Sequence, residues 1–201
     1  MNDQVTKLET DEILQLAERA FLQNDEGDFV ELGCYRGDTS VLLGKLLQNL
    51  QSASTASARH LWIYDSFAGL PEKTCEDASG AGANFQAGEL FVTKREVVEK
   101  IRRHNLRNIV IKKAWFDELT DEDLPKEVAF AFCDGDLYGS IRTSLRLVWP
   151  RLTKRGIVIV HDYNNSELPG SARAVDEFLR AHPEVQLRVW QTLAILSKKS
   201  S

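Results

Sequence analysis

The sequence predicts an α/β protein built on a doubly wound, mostly parallel sheet with helices on both faces. Strand-like and helix-like segments alternate along most of the 201 residues, which is the pattern of such sheets. Residues 128–134 (VAFAFCD) form a continuous apolar run, which is typical of a strand covered on both faces. Residues 28–40 combine a strand-like run, two glycines and two hydroxyl residues, as at the start of a nucleotide-binding site in these folds.

The first part of the chain predicts two helices and two strands. Residues 10–24 place their apolar side chains on one face at helical spacing, which predicts a helix. Residues 28–32 (DFVEL) predict the first strand, and residues 38–50 predict a helix capped near its first residue. Residues 51–59 are small and polar and predict a surface loop, and residues 60–65 (HLWIYD) predict the second strand.

The remaining chain continues the alternation and closes with two strands. A turn at Gln191 and Thr192 is expected to join these last two strands as a hairpin. The predicted elements are a helix over 93–105, strands over 108–113 and 128–134, a helix over 138–152 stopped by Pro150, a strand over 156–163, a helix over 171–182, and strands over 185–190 and 193–197.

A single domain is expected over residues 1–201. The length suits one hydrophobic core, and no internal repeat marks a second unit. Residues 71–90 are too many for an ordinary connection between a strand and a helix. We therefore expect this segment to be a lid loop that closes over the site.

Composition and charge exclude several classes of function. The formal net charge is −5 and no sustained basic run is present, so we expect no nucleic-acid partner. No stretch is long and apolar enough to span a bilayer, so we expect no membrane partner. The N-terminus lacks a signal pattern, and Cys34, Cys75 and Cys133 have no metal-type spacing, which together indicate reduced thiols in a cytoplasmic protein.

Acidic residues stand at the ends of several predicted strands. Glu31, Asp65 and Asp134 end three of them, and His161 and Asp162 end a fourth. Any one of these acids could be a solvated strand end. Because the carboxyl ends of parallel strands meet at the edge where ligands bind, four such ends together predict a site that receives positive charge.

The glycine turn after the first strand does not match a phosphate-binding loop. Gly33 and Gly37 do not form the G-x-G-x-x-G pattern, and no Gly-Lys-Ser/Thr follows. Glu31 would also repel a pyrophosphate. These features favour a cationic nucleoside, S-adenosylmethionine, whose ammonium group Glu31 can face.

Nearby residues can bind the other groups of S-adenosylmethionine. Its carboxylate can sit at a helix N-terminus beside the hydroxyls of Thr39 and Ser40. Gly33 and Gly37 allow a close approach of the backbone. Asp65, at the end of the second strand, can accept hydrogen bonds from ribose hydroxyls.

Several blocks of the sequence resemble the macrocin O-methyltransferase family. The resemblance runs from about Phe29 to about Leu179. No block is specific by itself, but their order after the glycine turn makes a strong set. The blocks are FVELGCYRGDTSVLL, WIYDSFAGLPE, AWFDEL, FCDGDLYGSIRTSL, RGIVIVHDY and GSARAVDEFL.

This resemblance implies a Rossmann-like class I methyltransferase fold with seven strands, the last of them antiparallel. It implies S-adenosyl-L-methionine as methyl donor and a divalent cation, usually magnesium. Trp115 and Phe116 would lie beside the adenine, with ordinary core packing as the alternative. The implied donor-binding residues are Glu31, Gly33, Tyr35, Gly37, Thr39, Ser40, Asp65, Ser66, Phe67, Trp115, Phe116 and Asp134. The implied metal ligands are Asp134, His161 and Asp162.

One position departs from the pattern of the family, which commonly has two acids where this chain has His161 and Asp162. Magnesium prefers oxygen ligands, whereas imidazole suits manganese, iron or zinc. The metal could therefore differ, bind weakly, or be absent with His161 acting as the base; His161 could also only orient its neighbours. Asp136 is a reserve candidate for ligand or base, with capping of the helix near Tyr138 as the favoured interpretation.

The sequence thus predicts a metal-dependent O-methyltransferase that methylates a hydroxyl of a small-molecule sugar or phenolic acceptor, with Asp134 and His161 acting in catalysis. A catechol-type phenol methyltransferase and a donor-binding protein without turnover remain alternatives. A nicotinamide-dependent reductase is disfavoured, because the glycine pattern and a Tyr-x-x-x-Lys pair are missing. The acceptor remains open, and so does a homodimer.

Overall fold

The computed structural model describes residues 5–24, 26–52, 58–78 and 85–199. The strands are β1 (Asp28–Leu32), β2 (Leu61–Asp65), β3 (Ile109–Lys113), β4 (Val128–Cys133), β5 (Leu152–Val160), β6 (Val185–Trp190) and β7 (Leu193–Lys198). The helices are α1 (Lys7–Gln23), α2 (Asp38–Ser52), α3 (Lys94–Arg103), α4 (Tyr138–Val148) and α5 (Pro169–Ala181). The strands form one sheet in the order β3-β2-β1-β4-β5-β7-β6.

Strands β1, β2, β3, β4 and β5 are parallel to one another, and β7 runs antiparallel to both β5 and β6. These features confirm the predicted doubly wound sheet of seven strands with an antiparallel last strand. They also confirm the closing hairpin, whose turn contains Gln191 in the left-handed region at φ +53°. The strand order reverses between β1 and β4, so the switch point lies where the residues after these two strands meet.

Alternation along the strands divides the core into two halves. Phe29 of β1 and Phe130 of β4 pack with helices α1, α2 and α3 on one face. Val30 and Ala131, the next residue along each strand, pack with α4 and α5 on the other face. All six residues of β4 are buried, as expected for a strand that is covered on both sides.

Three predicted elements have wrong boundaries. The helix predicted over 138–152 ends at Val148, and a single 3₁₀ turn that contains Pro150 follows it. The first helix begins at Lys7 rather than at residue 10, because Thr6 caps it and Glu9 completes a capping box. The predicted strand over 156–163 runs instead from Leu152 to Val160. Asp162 has a φ of +59°, which turns the chain away from the sheet and leaves His161 and Asp162 beyond the end of β5.

The expected lid segment over residues 71–90 lies beside the switch point. Residues 79–84 of this prediction lie outside the described residues. Asp77 is only 3% exposed, and its Oδ1 accepts a hydrogen bond of 2.7 Å from the Tyr138 amide at the start of α4. At the base of the segment, the Leu70 amide donates to the Glu89 carbonyl over 2.8 Å. The described part is therefore packed against α4, and closure of the segment stays a prediction.

The expected role of Asp136 as the cap of the helix near Tyr138 is wrong. The residue before α4 is Leu137, which provides no side-chain cap. Asp77, 61 positions earlier in the chain, accepts the Tyr138 amide instead. Within the described ranges, no helix combines the length and apolar character needed to cross a membrane.

Candidate active site

A cavity of about 490 Å³ opens at the carboxyl ends of β1, β2 and β4. It lies at the switch point, where ligands bind in sheets of this kind. The structure brings seven of the predicted donor-binding residues to its wall. They are Gly33, Tyr35, Asp65, Ser66, Trp115, Phe116 and Asp134.

The wall of this cavity is strongly acidic. Its described lining contains no lysine, arginine or histidine. Such a surface favours a positively charged ligand and disfavours phosphate. The acidic side chains in the lining are Asp65, Glu72, Asp77, Asp117, Glu118, Asp134 and Asp136.

Gly33 brings the two sides of the cavity together. It adopts a φ of +91°, and a Cβ at this position would lie 2.0 Å from the Asp134 carbonyl oxygen. The Asp134 amide donates a hydrogen bond of 2.8 Å to the Leu32 carbonyl. Only glycine permits this approach, so the turn after β1 and the loop after β4 are held in direct contact.

Asp65 organises the turn after β1 through backbone hydrogen bonds. Its Oδ2 accepts from the Cys34 amide at 2.9 Å and from the Tyr35 amide at 3.3 Å. Its Oδ1 accepts from the Phe67 amide at 2.7 Å. Tyr35 and Phe67 both have positive φ values, so these bonds hold two residues in an uncommon conformation. The carboxylate of Asp65 therefore both shapes the turn and faces the cavity.

Glu31 lies beneath the turn rather than in the cavity wall. It is fully buried and accepts a hydrogen bond from the Ser40 hydroxyl, while its Oε1 has no hydrogen-bond partner. Burial, with smaller contributions from Asp134 and Asp65, raises the pKa of Glu31 to about 8. Gly37, Thr39 and Phe67 are also absent from the described lining. Their contact with a donor, like that of Glu31 and Ser40, stays a prediction.

Asp134, His161 and Asp162 form a compact cluster beside the cavity. The Nδ1 atom of His161 lies 2.9 Å from Asp134 Oδ1 and 2.9 Å from Asp162 Oδ2. One ligand atom of each residue lies within 4.8 Å of the others. His161 is 3% exposed and Asp162 6% exposed, so the cluster is largely shielded from solvent.

The donor set of this cluster fits a divalent metal ion. His161 Nδ1 lies close to both carboxylates, yet it makes no hydrogen bond of acceptable direction to either. Two ligands about 2.1 Å from an octahedral ion and at right angles to each other are about 3 Å apart, close to the two observed separations. An imidazole with two carboxylates suits manganese, iron or zinc better than magnesium.

Sequence reasoning missed Glu9, which approaches the cluster from α1. Glu9 is 2% exposed, and its Oε2 lies 3.9 Å from His161 Nε2. Burial would raise the pKa of Glu9, but His161, Thr192 and Thr6 outweigh it and hold that pKa well below its ordinary value. The capping-box spacing from Thr6 to Glu9 could have located the helix start, but nothing in the sequence indicates a contact with His161.

The pKa of His161 reflects the same surroundings. Burial would lower it, but Asp134, Asp162 and Glu9 outweigh burial and raise the pKa of His161 well above its ordinary value.

Asp136 lies in the cavity wall with a φ of +58° and is 7% exposed. Burial, followed by the charges of Asp134 and Asp162, raises its pKa well above the usual range.

Solved structures share this fold. The structure of the O-methyltransferase NovP superposes with a TM-score of 0.80 and 26% identity, covering 96% of this chain and 79% of that one. The strand order, the antiparallel last strand and this similarity identify the fold as that of class I methyltransferases.

The chain belongs to the macrocin O-methyltransferase family, whose model matches residues 5–189. Demethyldecarbamoylnovobiocin O-methyltransferase of Streptomyces niveus is 29% identical over 171 residues, 83% of this chain. A tetracenomycin-C rhamnosyl 4'-O-methyltransferase of Streptomyces olivaceus is 31% identical over 143 residues, 68% of this chain. The matched regions cover 63% and 53% of the lengths of these two relatives.

Proposed function

We propose that this protein is an S-adenosylmethionine-dependent O-methyltransferase that methylates a hydroxyl of a small sugar or phenolic natural product. The acidic cavity at the switch point carries this proposal, because its described wall offers carboxylates and no basic side chain. A sulfonium nucleoside brings two positive charges to such a wall, whereas a dinucleotide brings a repelled pyrophosphate. Family membership supports the reaction, and the names of the two relatives support the class of acceptor.

The donor binds on the β1–β2 side of the cavity. Asp65 accepts hydrogen bonds from its ribose, and Trp115 and Phe116 contact its adenine. Glu31 lies one layer deeper, and its buried carboxyl accepts a hydrogen bond from the ammonium group, directly or across a water molecule. The supporting observation is that Asp65 and both aromatic residues lie in one cavity wall with Gly33.

A divalent cation would be held by Asp134, His161 and Asp162 on the β4–β5 side. When bound, it would lower the pKa of the acceptor hydroxyl, so that the oxygen would be a better nucleophile. The imidazole in the donor set favours manganese or another transition metal over magnesium. The supporting observation is the pair of 2.9 Å separations around His161 Nδ1.

The protein's own residues position the two reactants and receive the proton. The acceptor oxygen attacks the methyl carbon in line with sulfur, so that an O–C bond forms as the S–C bond breaks. The hydroxyl proton passes to a carboxylate of the cavity. Asp136 is placed for this step when it is ionised, since it lines the cavity next to Asp134 and its raised pKa makes it a stronger base than an ordinary carboxylate.

Calorimetry with the full chain tests the proposal. S-adenosylmethionine and S-adenosylhomocysteine should bind, NAD⁺ should not, and Asp65→Ala should weaken donor binding. Methyl transfer to sugar and phenol acceptors should depend on Mn²⁺ and stop on chelation. Tight binding of NAD⁺ with none of S-adenosylmethionine would overturn the proposal, and donor binding without transfer to any acceptor would favour a non-catalytic protein.

A further inference from the structure

We propose that Glu9 is a positioning residue for the cation site, because it orients the His161 ring so that Nδ1 points to Asp134 and Asp162. This inference rests on the proposed function, since it concerns the same cluster of Asp134, His161 and Asp162. It adds α1, which precedes the first strand of the sheet in the chain, to the parts of the protein that determine metal affinity.

The contacts of Glu9 show a carboxylate held rigidly on the far side of His161. Oε2 accepts from the Thr6 amide at 3.0 Å and from the Thr6 hydroxyl at 2.7 Å. Oε1 accepts from the Thr192 amide at 3.2 Å and from the Thr192 hydroxyl. These four donors are uncharged, and His161 Nε2 lies 3.9 Å from Oε2. Glu9 therefore keeps its negative charge directed at the imidazole.

The position of that charge matches the tautomer that a cation requires. A neutral imidazole has one N–H and one lone pair, so a cation held between Nδ1 and the two aspartates leaves the ring proton on Nε2. Glu9 faces Nε2 and stabilises the proton there. Histidine ligands in metal sites are commonly oriented by a carboxylate in this way, and loss of that carboxylate typically costs about 10- to 100-fold in metal affinity.

Glu9 also completes the capping box at the start of α1, and the chain contains a matched control for that role. Thr93 and Glu96 form the same capping box at the start of α3, with Glu96 Oε2 accepting from the Thr93 amide at 2.9 Å. Glu96 is exposed. Glu96→Gln therefore alters a capping box alone, whereas Glu9→Gln alters a capping box and removes the charge that faces His161.

The experiment is Mn²⁺ binding to the full-length protein, measured by calorimetry and by electron paramagnetic resonance with detection of nitrogen coupling. We expect Glu9→Gln to weaken Mn²⁺ binding about 10- to 100-fold and to change the nitrogen coupling. Glu96→Gln should leave both unchanged. In the His161→Asp background, Glu9→Gln should not weaken Mn²⁺ binding, because no imidazole remains to be oriented.

The outcomes separate this inference from the proposed function. If the unmodified protein does not bind Mn²⁺, the cation site itself is wrong. If it binds Mn²⁺ and Glu9→Gln binds equally well, the role of Glu9 is wrong and the cation site stands. Should Glu9→Gln fail to fold, Thr192→Val retains the charge and removes one of its four donors; a smaller loss of affinity supports the inference, and an unchanged affinity and nitrogen coupling overturn it.

Discussion

The two sides of the cavity are built by different means. On the β1–β2 side, the Asp65 carboxylate is bound by three backbone amides that lie within 31 residues of it in the sequence. On the β4–β5 side, His161 meets side chains from three other places in the chain, and neither of its ring nitrogens makes a well-directed hydrogen bond. The β1–β2 side, where we propose that the donor binds (the donor side), is therefore shaped by the backbone. The β4–β5 side, where we propose that the cation binds (the cation side), depends on side chains that converge around one imidazole.

This difference predicts how substitutions on each side should affect folding, donor binding and chemistry. Backbone hydrogen bonds make the donor side a preformed turn, so a substitution there should alter binding and folding together. The residues of the cation side lie just beyond the ends of β4 and β5 and make no hydrogen bond with the turn amides that Asp65 binds, so a substitution there should alter the chemistry while the turn persists. The following predictions test this contrast, from the largest expected effect to the smallest.

The largest expected effect is on the cation side. Asp134→Asn removes a negative charge next to His161 Nδ1, and we expect methyl transfer to fall by about 10²- to 10⁴-fold. Binding of S-adenosylhomocysteine should change by only a few fold, because the turn around Asp65 is untouched. Turnover kinetics with calorimetry on the same preparation checks this. Equal losses in turnover and in donor affinity would contradict the separation of the two sides.

The contact between the two sides is tested by Gly33→Ala. The added Cβ would lie 2.0 Å from the Asp134 carbonyl oxygen at a φ of +91°, so we expect a loss of about 3 kcal/mol or more in the free energy of unfolding. Urea denaturation measures it. Gly139→Ala in α4 is the control, because its Cβ meets nothing within 4 Å and should leave stability unchanged or slightly raised.

On the donor side, Asp65→Asn should weaken donor binding by about 10- to 100-fold. The amide side chain cannot accept all three backbone hydrogen bonds as a carboxylate does, so the turn loosens as the ribose contact weakens. Asp117→Asn is the matched control, since Asp117 is an exposed acid of the same cavity wall. If both variants bind the donor equally well, the wall contributes only general charge and Asp65 has no special role.

The smallest expected effect concerns stability and pH at Glu31. Its pKa is raised from 4.5 to about 8 in the folded chain, so the folded state retains a proton that the unfolded state has lost between these values. Stability is therefore lost as pH rises from about 4.5 to 8. Glu31→Gln should remove this loss, with a net gain on the order of 1 kcal/mol above pH 8, since a buried amide remains.

Thermal melting of both proteins at pH 5 and pH 8.5 tests the Glu31 prediction. The difference in melting temperature between Glu31→Gln and the unmodified chain should be larger at the higher pH. A difference that is equal at both pH values would show that Glu31 does not titrate in this range.

Sequence reasoning succeeded where the signals are local. The alternation of apolar runs and the acids at strand ends placed Asp65 and Asp134 at one edge, because parallel strands align their carboxyl ends. It could not foresee Glu9, whose partner Thr192 is 183 positions away. Asp77 was missed for the same reason, since its contact with Tyr138 exists only after a distant segment packs on α4.

The full burial of Glu31 could not be predicted from the sequence either. Its position at a strand end predicts a place near the ligand edge, but its full burial depends on how α2 packs over the turn and brings Ser40 onto the carboxyl. Likewise, the pattern showed that a histidine replaces an expected acid, but only the folded chain shows a carboxylate on each side of its ring.

The central claim is that one acidic edge binds a cationic nucleoside and a divalent cation side by side. A crystal grown with S-adenosylhomocysteine and Mn²⁺, with diffraction data collected at the manganese absorption edge, tests it directly. The account predicts an anomalous peak bounded by Asp134, His161 Nδ1 and Asp162, with the nucleoside against Asp65 and Trp115. A nucleoside bound elsewhere, or no peak at these three residues with the nucleoside in place, would contradict it.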